Sequence, residues 1–162
     1  MNPINTDYKA GNYNTAVEKQ TRKYKGTETS FQDKLKETSE SAVEQYKRRH
    51  PQDAAHVEVQ VQAGKAVREK YGADNVSRED MTMEEYKNFI NGLLRSIPFD
   101  ATRVYDSEVI SISEAGWEQM KNDADYEAWV LGYTAQNRAV CNPFFGWPGA
   151  SGTFCVEKFG AS

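Results

Sequence analysis

His56-Val-Glu-Val-Gln-Val-Gln62 alternates apolar and polar side chains, and every internal apolar position is a valine. A period of two built from β-branched residues is the pattern of a strand with one face on a core and one in water. The same residues also fit a helix through Ala55, Val59, Ala63, Ala66, Val67 and Tyr71, with Gly72 as its C-terminal stop. We read a strand followed by a short helix. The choice decides how many strands the sheet holds.

Toward the N-terminus, Thr29-x-x-Gln32 has capping-box spacing, and Phe31, Leu35, Thr38, Ala42 and Tyr46 trace a thin apolar stripe. The spacing predicts a helix from Ser30 to about Arg49. Pro51 stops it, because proline disfavours helical geometry in the residue before it. Residues 1–28 mix Asn, Thr, Lys, Gly and Tyr without any period and read as irregular or disordered.

Toward the C-terminus the signals are stronger. Thr82-Met-Glu-Glu85 is a capping box, with Met81 and Tyr86 at the hydrophobic-staple positions. Tyr86, Phe89, Ile90, Leu93, Leu94 and Ile97 follow at spacings of three and four, and Pro98 ends the run. Glu108 to Ser113 reads as a second strand. Ser113 then caps a short helix with Ile112 stapled on Trp117, and Asp123 caps another whose Tyr126, Trp129, Val130 and Tyr133 share one face. The sum is an α+β fold of four or five helices around a small sheet of two or three strands. An irregular aromatic C-terminal tail packs on it. By segment, 1–28 is irregular, 29–140 is a single α+β domain, and 141–162 is an aromatic, Gly/Pro-rich tail that completes the domain.

Composition narrows the function classes. The 162 residues suit one domain, with 38% hydrophobic residues and a mean hydropathy of -0.80. A net charge of -4 argues against nucleic acid as a partner, since phosphates call for basic surface. No apolar run reaches the ~18 residues of a membrane span. The first residues lack the layout of a signal peptide, so a cytoplasmic protein is the default expectation, with export by way of an unfolded polar N-terminus as the second reading. Two cysteines do not make a disulfide scaffold, and Cys141 and Cys155 are read as free thiols in preference to a pair.

Each candidate site weakens on inspection. His50, Asp53 and His56 are sound metal-ligand types, but their spacing matches no established pattern and surface histidines near a helix end explain them. Asp123-x-Asp125-x-Glu127 imitates a calcium loop but has Ala128 and Thr134 where glycine and glutamate are needed; the carboxylates suit a helix start instead. Ser151 lacks the spacing of a nucleophile elbow, and the thiols lack a histidine nearby in sequence. No glycine-rich phosphate loop follows a strand. No catalytic residue, metal or cofactor is assigned. Trp117, Trp129, Tyr126 and Tyr133 are read as core.

Phe144, Phe145, Trp147 and Phe154 stand apart. They lie among Pro143, Gly146, Pro148, Gly149 and Gly152, which turn the backbone sharply. Either this segment wraps the domain as core, or it is exposed as an anchor for a partner. We read a packed tail first.

Met81-Thr-Met-Glu-Glu-Tyr86, Ile110-Ser-Ile-Ser-Glu-Ala-Gly-Trp117 and Met120-Lys-Asn-Asp-Ala-Asp-Tyr-Glu-Ala-Trp129 resemble a group of small uncharacterised bacterial proteins, a domain of unknown function. That group shares an I-S-x-x-G-aromatic-x-x-M-K-x-D-P-x-Y-E-x-W pattern. Ala124 stands where the pattern has proline, a mild departure at the first helical position. The resemblance spans about residues 80–137 and implies kinship of fold, with no activity attached. The leading expectation is a non-enzymatic protein acting through contact with another protein or with itself, by way of the tail from Cys141 to Phe159. Export is the second reading, and a small metal- or thiol-dependent enzyme the third.

Overall fold

The computed structural model describes residues 40–160. They form five helices and two strands: α1 (Ala42–Arg49), α2 (Ala54–Lys70), α3 (Met83–Ser96), β1 (Ser107–Ile112), α4 (Glu114–Asn122), α5 (Ala124–Ala139) and β2 (Phe154–Phe159). The protein is α+β, with its two strands paired in parallel.

The deciding stretch is helical. Residues 56–62 lie inside α2, which corrects the strand reading. The helical alternative had the right element and only part of the right face: its Val67 is buried, while its Ala55, Val59 and Ala66 are exposed. Val59 points to solvent, while Val57, Gln60, Val61, Gly64, Val67 and Arg68 are buried. Spacings of three and four through those positions define a real helical stripe, but two of its members are polar and one is glycine. Gly72, with φ of +65°, does end the helix: its N–H donates to the Glu69 carbonyl and that of Ala73 to the Arg68 carbonyl. These two bonds make a Schellman motif.

Glycine is buried in α2 because the helix crosses α5 at backbone contact. A Cβ on Gly64 would overlap the Ala128 carbonyl, and one on Gly132 would overlap the Gln60 carbonyl. At the same crossing, buried Glu127 pairs with Arg68 and accepts a 2.7 Å hydrogen bond from the Tyr86 hydroxyl of α3. Burial, and then the neighbouring carboxylate, push the Tyr86 phenol far above its usual range, so it stays a donor. Arg68 also donates to the carbonyls of Ala73 and Val76, bracing the turn after α2. Gln60 accepts from the Trp129 indole N–H at 2.8 Å, which gives the buried amide and the half-buried indole a partner each.

The other helices start where the caps place them. Ser41 caps α1 with extended dihedrals, so a helix continuous from Ser30 to Arg49 is not formed. The Thr29–Gln32 box and residues 1–28 lie outside the described residues. Thr82 and Glu85 close a reciprocal capping box, Ser113 caps α4, and Asp123 accepts from two backbone N–H groups at the head of α5. Tyr86, Ile90, Leu93 and Leu94 of α3 meet Trp117 and Met120 of α4 and Val130 and Leu131 of α5 in one core cluster.

The aromatic tail is not irregular throughout. Phe154–Phe159 forms β2 and pairs with β1 in the register Val109↔Val156 and Ile112↔Phe159. Parallel pairing needs a crossover, and α4, α5 and the turns after them supply it. The inner face sends Ile110, Ile112 and Phe159 to the core. Among the described residues no helix is long and apolar enough to cross a membrane.

Gly64→Ala should lower stability by about 3 kcal/mol or more, because the clash is with backbone and the helices would have to separate. Gly92 in α3 has nothing within 4 Å of its Cβ position. Gly92→Ala should therefore raise stability by about 0.5–1 kcal/mol. Urea midpoints measured side by side decide both.

Candidate functional site: an aromatic knuckle on an uncovered sheet

Between α5 and β2 the chain makes three tight turns in succession. The Phe145 N–H donates to the Asn142 carbonyl, that of Trp147 to Phe144, and that of Ala150 to Trp147. Gly146 and Gly149 adopt φ of +85° and +81°, a region in which glycine carries no steric cost. The Asn142 side chain accepts from the Phe144 N–H at 3.0 Å and starts the first turn. The result is a knuckle whose Phe144 and Trp147 rings meet edge to face, 6.1 Å apart.

Four of these rings face solvent. Phe144 is 61% exposed, Phe145 48%, Trp147 66% and Phe154 66%. The expectation that they plug the core is corrected for them. Phe159 has the opposite fate: it was grouped with the contact segment but is buried, packed edge to face on Trp129 and Tyr133. Trp117 is buried, and Trp129 packs against the core, as the helix faces require.

The apolar surface extends beyond those four. On the outer face of the sheet Val109 and Val156 lie side by side with about half their surface in water, next to Phe154. Tyr105, Val104 and Val140 are also exposed. These five residues other than Phe154 were missed from sequence. Alternation within 107–112 and 154–159 gave the only signal, since it puts Val109 and Val156 on the face opposite Ile110 and Phe159.

The knuckle is held at both ends by one connector, residues 100–106. The Asn142 N–H donates to the Thr102 hydroxyl at 2.7 Å, and the Thr153 N–H to the Asp106 carboxylate at 2.7 Å. Gly152 passes so close that a Cβ there would overlap the Tyr105 carbonyl. Arg103 pairs with Asp106 and donates to the Asn137 carbonyl at the end of α5. Beneath, Arg138 bonds Glu108 of β1 at 2.5 and 2.9 Å and the carbonyls of Leu94 and Ile97. Asn137 donates to Glu157 of β2 at 2.9 Å. The inner face of the sheet is thus polar at one end, and the last turn of α5 satisfies it.

Other candidate chemistry is not assembled. His50 stacks on Tyr46, and the His56 ring meets the Gln60 amide at 3.1 Å, while Asp53 sits at the head of α2. Among the described residues no three His, Cys, Asp or Glu side chains are grouped to share a metal ion. Cys141 is exposed and Cys155 half-buried, both as free thiols. They line one shallow cleft with Arg103, Asp106, Glu108 and Glu157, and among the described residues no histidine lines it.

The Thr153 N–H, and after it Arg103, hold the Asp106 carboxyl below its usual range. The two Thr102 bonds do the same for Asp100. A depressed folded-state pKa gives stability that is present above the unfolded value of about 3.9 and lost as pH falls through the folded value. Acidification below about pH 4 should therefore loosen the knuckle. Asp106→Asn should speed proteolytic cleavage within residues 142–153 at neutral pH while far-UV circular dichroism stays unchanged.

Compared with protein-family models, curated proteins and solved structures, the chain matches none of them.

Proposed function

We propose that this chain is a non-enzymatic binding module whose aromatic knuckle and outer sheet face dock on another protein or on a second copy of itself. One observation carries the reading: a two-stranded parallel sheet exposes Val109, Phe154 and Val156 on an outer face that nothing in the described residues covers. Parallel sheets occur almost always with both faces covered, and an isolated pair of strands is marginal in water. Exposed aromatics beside such a face form the kind of patch that marks an interface, and Trp and Tyr dominate binding energy at such sites. The clamps from Thr102 and Asp106 support it further, because an anchor fixed before binding loses less entropy on docking.

The proposal includes kinship with the bacterial group sharing the I-S-x-x-G-aromatic pattern. Ser113 and Asp123 are caps, while Trp117, Met120 and Tyr126 are buried. The pattern residues thus serve the fold, which is what a shared fold without a shared activity requires.

The test is the double variant Trp147→Ser, Phe154→Ser. Both rings are free of the core, so stability in urea should change by no more than about 0.5 kcal/mol for each ring. Concentration-dependent association in light scattering, or binding to the partner, should be lost. A destabilisation above about 2 kcal/mol would show that the rings pack within the fold and would end the reading.

A further inference from the structure

A second feature of the molecule owes nothing to the knuckle. Where α1, α5 and the end of β2 meet there is a cavity of about 400 Å³. That is within the range of small-molecule sites, roughly 300–1,000 Å³. Tyr46, Tyr126, Trp129 and Phe159 give it aromatic walls. The wall is stiff, because Trp129 is held between Tyr126, tilted against it at 5.7 Å, and Phe159, edge to face at 5.7 Å. Its polar handles are already used: the Tyr126 hydroxyl donates to the Gly160 carbonyl at 2.9 Å and the Trp129 indole N–H to Gln60. What the rings offer an occupant is apolar surface.

The charge around this cavity is one-sided. Arg49 and His50 line it from α1, Lys158 stands at its rim on the outer face of β2, and among the described residues no aspartate or glutamate lines it. The chain as a whole carries 24 acidic against 20 Lys and Arg residues, so acidic partners were plentiful. Elsewhere they are used: Lys47, Lys65, Lys87, Arg68, Arg103 and Arg138 all pair with carboxylates. Among the described residues neither Arg49 nor Lys158 makes an ion pair; the Arg49 Nε reaches only the Gln45 carbonyl, at 3.4 Å.

The geometry points to a binding site for a small aromatic carboxylate, with its ring against Trp129 and Phe159 and its charge on Arg49. Aromatic walls supply apolar contact without a competing polar group, and an arginine provides paired charge-assisted hydrogen bonds to one carboxylate. A neutral aromatic of the same size would leave Arg49 without a counter-charge.

Calorimetric titration of the full chain with indole-3-acetate, and separately with its neutral amide, tests this. For an acid of this size a Kd of about 0.1–1 mM is expected, with the amide at least about tenfold weaker. Raising the salt to 0.5 M should weaken the acid alone. Arg49→Gln should bring the acid to the level of the amide; the side chain is exposed, so the fold is retained. Equal affinity for acid and amide would overturn the anion specificity. Binding of the acid unchanged by Arg49→Gln would place it elsewhere, and no binding of either compound at millimolar concentration would remove the site.

Discussion

The backbones of α2 and α5 touch, and the remaining architecture is arranged around that contact. Gly64 and Gly132 let the helices approach until carbonyls occupy the space where side chains would stand. This close crossing carries Arg68 and Glu127 into the same buried space, where the Tyr86 hydroxyl joins them from α3. Such a pair adds little net stability over apolar residues of the same shape, but stranding either charge is costly. A slide of one helical turn would strand both. The pair therefore selects one register of the crossing, and with it the direction in which α5 delivers Asn137 and Arg138 to the sheet.

Caps and staples were the legible part of the sequence. Thr82, Ser113 and Asp123 start helices where short-range hydrogen bonding says they should, because a cap depends on three or four consecutive residues and little else. Pro98 and Gly72 end helices for equally local reasons. The stretch from His56 to Gln62 was misread because its valines alternate while its true buried face includes Gln60, Gly64 and Arg68. None of those residues registers as apolar. Their burial depends on Trp129, Ala128 and Glu127, about sixty residues away, which no local pattern contains. Strand β2 was missed for a related reason: Phe154 to Phe159 follows a run of turns and acquires its identity from pairing with β1, 47 residues upstream.

The candidate site was legible by composition and illegible by orientation. Phe144, Phe145, Trp147 and Phe154 announce themselves as aromatics among turn residues. Whether such rings face inward depends on what lies opposite, and here the sheet has already filled its inner face with Ile110, Ile112 and Phe159. The cavity beside Trp129 was wholly hidden, since its walls come from the start of the described chain, from α5 and from the end of β2. Arg49 and His50 read from sequence as an ordinary basic helix end. That no carboxylate among the described residues lines the cavity with them is a property of the assembled fold alone.

Clamps at Asn142 and Thr153 separate the knuckle from the helix crossing in a way that matters for divergence. The eleven or so residues between those anchors touch little else, and loops of this kind tolerate change. Gly64, Ala128 and Gly132 have no such latitude. Over evolutionary distance the aromatic surface is free to change while three small residues stay fixed in spacing. Remote kin of this fold would then be recognised by a glycine in one helix and a small-x-x-x-glycine pair some sixty residues later, long after the exposed rings had ceased to resemble one another.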